Sequence, residues 1–147
     1  MKSDLSIHNI CISSIKRSTM KPYNFRWTKF YEVDVKKYFS NFPFKLSESE
    51  LIICSTIIDS DNFSVLTTQK LITNENGNLE MGSLINAKDE LYGDFKSKTN
   101  HFTFGNVKLE NGKYLKYFIE TKSASMVMIH GVKTSIQIQQ INGLHNK

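Results

Sequence analysis

Asp59 and Asp61 stand across one turn, in Asp59-Ser60-Asp61-Asn62, and are the residues best spaced for chemistry. Two carboxylates so placed could serve as acid and base or hold a cation, with His101 or His130 joining them after folding. The turn lacks the glycine and the distal glutamate of an EF-hand loop, and Asp and Asn are common in turns because they bond their own backbone. The two cysteines, Cys11 and Cys54, are far apart, form no CxxC and have no base beside them, which leaves no nucleophile pair, zinc ribbon or disulfide framework. No GxSxG and no phosphate loop is present. Neither catalysis nor a cofactor is expected, and a small hydrolase built on the Asp59 turn is the remaining catalytic alternative.

The elements that would carry these residues are mostly strands. Leu51 to Ile58 is a continuous apolar and β-branched run, the Asp59 turn follows, and Phe63 to Thr68 returns. Leu71 and Ile72 resume, and Asn74-Glu75-Asn76-Gly77-Asn78 closes the next hairpin. Phe102 to Leu109 and Tyr114 to Glu120 flank the Asn-Gly turn at Glu110-Asn111-Gly112-Lys113, the clearest hairpin signal in the chain. Gly82 to Phe95 reads as mixed.

Two helices are expected. Val35, Tyr38, Phe39 and Phe42 recur at three and four, predicting a short helix that ends before Pro43. From Ser123, a plausible cap, Met128, Ile129, Val132 and Ile136 form a core-type stripe, although Ile136 and Ile138 also fit a strand. Residues 1–21 mix isoleucines with serines, and a marginal strand, a frayed helix or a partner-docking arm all fit.

The 147 residues suit one domain over 22–141, with that N-terminal arm and a short tail over 142–147. Hydrophobic content of 39% against 22% charged is globular. No signal-like or membrane-spanning segment is read, so a soluble cytoplasmic protein with reduced thiols is expected.

The net charge of +5 is unevenly spread. Residues 1–47 hold nine basic and three acidic residues, and the remainder hold ten and eleven. Lys16, Arg17, Lys21, Arg26, Lys29, Lys36 and Lys37, interleaved with Tyr23, Phe25 and Trp27, are therefore the candidate binding residues, suited to an anionic lipid headgroup or nucleic acid. Aromatics at this density also build cores.

The strand with its acidic turn, then Val65-Leu66-Thr67-Thr68-Gln69-Lys70-Leu71-Ile72, then the Gly105-to-Glu120 hairpin and a terminal amphipathic helix resemble bacterial PH-like domains of the PH/GRAM superfold over about residues 33–140. The resemblance implies a mainly β, α+β fold: a strongly bent antiparallel sheet or partly open barrel of about seven strands, capped by the C-terminal helix. Phosphoinositide-binding members carry basic residues at the first hairpin loop, where this chain has Asp59 and Asp61 and would repel a headgroup. The expectation is a non-catalytic binding or adaptor module for a protein partner, with anion binding through the basic third as one alternative. Neutralisation of a toxin by an immunity-type protein is another.

Overall fold

The run from Leu51 is apolar and β-branched without alternation because both faces of the sheet it enters are covered. In the computed structural model, which describes residues 2–141, Ile52–Asp59 forms β2 of a five-stranded antiparallel sheet. The sheet is ordered β1 (Thr28–Phe30), β2, β3 (Asn62–Thr67), β4 (Leu71–Glu75) and β5 (Asn78–Gly82). Cys54 pairs with Leu66, and Val65 with Ile72. On one face, Ile52, Phe63, Val65 and Ile72 meet Phe39 and Phe44 from the preceding loop. On the other, Ile53, Cys54, Leu66 and Leu71 join the main core, so strict alternation never shows in the sequence.

A second sheet runs β6 (Lys88–Leu91), β7 (Phe102–Lys108) and β8 (Tyr114–Glu120). Leu109 and Lys113 close the β7–β8 hairpin through a 2.8 Å backbone bond, and Gly112 supplies the positive φ its turn requires. Phe118 N–H donates to Ser64 Oγ at 2.8 Å, so β8 lies against the first sheet through a side chain and not a ladder. The architecture is mainly β with a C-terminal helix, as expected. The two sheets do not close into a barrel.

Helix α2 (Ser125–Ile138) follows a single 3₁₀ turn at Lys122–Ala124. Met128, Ile129, Val132 and Ile136 are all buried, as their spacing predicts, and Val127 is buried with them. Ser123 does not cap it: the N-cap is Ala124, without a side-chain bond. The strand alternative for Ile136 and Ile138 is thereby replaced by helix.

The N-terminal segment is no loose arm. Asp4–Ser18 forms α1, capped by Ser3, whose hydroxyl accepts from Ser6 N–H at 3.1 Å, with Lys16 and Arg17 in its last turn. Ile7, Cys11, Ile12 and Ile15 enter the same core as α2, and Thr134 donates to Ser14 at 2.7 Å between the helices. Asp4 accepts from Thr68 Oγ1 at 2.5 Å and from Gln69 Nε2 at 3.2 Å, tying the helix start to the β3–β4 turn. Burial raises the Asp4 carboxyl, but hydrogen bonds from Thr68, Gln69 and Ser49 outweigh it and hold the group below its ordinary value.

The helix expected over Val35 to Phe42 is instead a run of turns. Tyr38, Phe39, Ser40 and Phe42 each donate to the carbonyl three residues back, at 2.9 to 3.2 Å. Winding this tightly lets Phe42 and Phe44 stack on Phe63 and on Phe39 while Tyr38 stays exposed. The polar break at Ser47 to Glu50 also hides a structural group: Glu50, fully buried, accepts from Ser47 N–H, Thr67 Oγ1 and Lys70 Nζ. The tail expected over 142–147 lies outside the described residues.

Candidate binding surface

Where β1 begins, its backbone is held by one carboxylate from the other sheet. Glu120, last residue of β8, accepts from Arg26 N–H at 3.1 Å, Trp27 N–H at 2.9 Å and Thr28 Oγ1 at 2.7 Å. The clamp fixes Trp27 at the start of β7, where its ring meets His101 at 6.2 Å and Phe102 at 6.3 Å between centroids. Phe102 and Phe104, alternate residues of β7, rest on buried Phe118 at 5.4 and 4.7 Å. Their strand neighbours Gly105 and Val107 are buried on the opposite face, and the Tyr117 ring occupies the space a side chain at Gly105 would need. Phe102 remains 38% exposed, so this is a surface strip with a buried floor.

Two cations lie on the strip. The Arg26 guanidinium is 4.5 Å from the Trp27 ring centroid, and Lys116 Nζ is 4.4 Å from that of Phe104. Lys116 also pairs with Glu75 at 2.8 Å, whereas among the described residues no carboxylate lies within ion-pair distance of the Arg26 guanidinium.

The seven basic residues expected to act together are dispersed. Lys16 is bound to Glu32 and Lys36 to Asp34, each at 2.8 Å. Arg17 ends α1, Lys29 stands on β1 and Lys37 lies in the turns after it, all exposed. Lys21 and Arg26 alone come together, lining a groove of about 440 Å³ between the Met20–Arg26 loop and the Glu120–Ala124 corner. Their aromatic companions divide: Phe25 packs on the core and Tyr23 stacks on Phe30, leaving Trp27 for the surface.

Phe102, Phe104, Lys116 and Lys122 were not among the expected residues, and His101 was expected only beside the Asp59 turn. The available signal was in β7, where aromatics occupy the positions opposite the Gly105 and Val107 face. Two facing rings resemble core in a sequence, and nothing there shows that one layer of Phe118 already fills the floor.

Each of the acid–base candidates has local partners of its own. Asp59 Oδ1 accepts from Asp61 N–H at 2.8 Å and Asn62 Nδ2 at 3.1 Å within its own turn. His101 leans on Trp27, and His130 sits on α2, where burial and Lys133 lower its pKa. Among the described residues no group of three His, Cys, Asp or Glu could hold a metal, and no helix is long and apolar enough to cross a membrane. Both cysteines are buried and free, and burial pushes the Cys11 thiol up to about 12 and that of Cys54 well above its usual value. No match was found in any of three comparisons, with family models, with curated proteins and with solved structures.

Proposed function

We propose that this chain is a non-catalytic binding module of PH-like architecture that recognises a protein partner through the Trp27–Phe102–Phe104 strip. The carrying observation is the strip itself: a part-exposed Trp27 ring beside the Phe102 and Phe104 rings of β7, flanked by an arginine whose guanidinium has no acidic partner among the described residues. Trp, aromatic and Arg side chains dominate the energetic centres of protein interfaces, because they bury much area at little entropic cost. The strand order supports the PH-like reading, since β2 to β5 and β6 to β8 form successive meanders followed by α2, with α1 and β1 added in front. Two buried, unreactive thiols agree with a reducing cytoplasmic setting.

The test is retention of partners from native lysate by tagged wild-type protein and by Phe102→Ala and Arg26→Ala variants. A stoichiometric protein held by the wild type should bind each variant at least about thirtyfold more weakly, the scale of losing one anchor. Equal retention by all three proteins overturns the assignment to this strip. Retention of nucleic acid alone favours the same rings as a base-stacking track.

A further inference from the structure

We infer that the groove beside the strip is a receptor for a phosphate monoester, carried on a side chain of the partner protein. Lys21 and Arg26 line one wall, Lys122 lines the other, and Asn24 and Ser123 lie among them with groups able to hydrogen-bond an oxyanion. The one carboxylate among the lining residues, Glu120, already accepts from two backbone N–H groups and the Thr28 hydroxyl, so three basic residues border the groove beside one engaged acid, with Lys21 Nζ resting 6.0 Å from the Tyr23 ring centroid. An ester dianion matches that excess better than a carboxylate, which brings half the charge and one oxygen fewer.

Lys21 and Lys122 come from segments about a hundred residues apart and line the same groove, unlike Lys16 and Lys36, which have acids of their own. Arg26 belongs to both features: its guanidinium covers Trp27, and the residue is part of the groove's lining. A partner crossing the strip would thus bring its next residues to the groove, which commits the phosphate to a protein and not to a membrane. This inference rests on the strip being the partner site.

Trp27 is the chain's single tryptophan, and an anion drawing on Arg26 changes the cation above the indole, so its fluorescence reports binding directly. The full chain is titrated with phosphoserine, with serine and sulfate as controls. Saturation near millimolar concentration is expected for an isolated headgroup. Lys21→Gln and Lys122→Gln, which leave Trp27 and Arg26 in place, should each weaken it about tenfold. Lys37→Gln serves as the distant control. No saturable response, an equal response to sulfate, or equal affinity in the Lys21→Gln and Lys122→Gln variants overturns the groove. Binding to phosphoinositide vesicles that these variants abolish, without a phosphoserine response, overturns the assignment to a protein side chain. Either failure leaves the strip reading standing if Phe102→Ala still loses the partner, whereas partner retention by Phe102→Ala removes the strip whatever phosphoserine does.

Discussion

Three acidic residues, Asp4, Glu50 and Glu120, tie distant segments together. Glu50 is the most demanding, since its side chain is wholly buried and its counter-ion Lys70 is 20% exposed at 3.2 Å. A buried charge is tolerated only while it is paired and hydrogen-bonded. Lys70→Met should therefore lower stability by about 3 kcal/mol, because it strands Glu50 and also removes the Nζ bond to the Lys45 carbonyl. Glu50→Gln in the same chain should recover part of the loss by removing the stranded charge. Chemical denaturation of the wild type, the single variant and the double variant measures both, and a single variant as stable as the wild type would show that water reaches Glu50. None of this was legible in the sequence, where Ser47-Glu48-Ser49-Glu50 reads as a polar break, because solvent exposure is a property of the fold and not of composition.

At the scale of elements, the helix that the sequence favours and the one it conceals meet at Gly131. A Cβ there would lie 2.9 Å from Cys54 Sγ, 3.1 Å from Leu66 Cδ2 and 3.3 Å from Ile15 Cδ1, so the bare backbone is what lets α2 seat on β2, β3 and α1 at once. Gly131→Ala gains helix propensity of about 1 kcal/mol but forces three packed neighbours to move. The clash should win, with a net loss of about 1–2 kcal/mol in thermal denaturation, since cores yield little to added volume. Shortening the nearest neighbour through Cys54→Ala should make the same substitution cheaper, a favourable coupling in the double-mutant cycle. A stabilised Gly131→Ala variant would mean that α2 stands further from the sheet. Helix α2 was readable because Met128, Ile129, Val132 and Ile136 keep an apolar stripe at helical spacing even though Ser125, Thr134 and Ser135 are buried beside it. The buried face of α1 was not, because His8, Ser14 and Cys11 share it with the isoleucines and blur the period. The strands were legible from β-branched runs and turn residues, whereas the 35–42 aromatics have helical spacing but wind as successive turns to reach Phe63.

For the molecule as a whole, the question is whether the two sheets and two cores stand or fall together. Strands β2, β3 and β4 contribute residues to both cores, and α1 shares the larger one with α2 and β8, so no unit can leave without uncovering another. Trp27 stands at the junction: its loop leads into the first sheet, its N–H is bound by Glu120 of the second, and its ring lies on Phe102. Its emission therefore follows the docking of the sheets, while far-ultraviolet circular dichroism follows the strands and helices wherever they are. We expect the two signals to change at the same denaturant concentration in one cooperative transition, as single domains of this size do. An earlier change in tryptophan emission would show that the Tyr23-to-Trp27 segment peels away while the sheets persist. The strip would then be assembled on contact, and its affinity would be reduced by the fraction of molecules in which it is formed. Coincident transitions mean instead that the rings, Arg26 and the adjoining groove are already in place before any partner arrives, so that little ordering entropy is lost on binding.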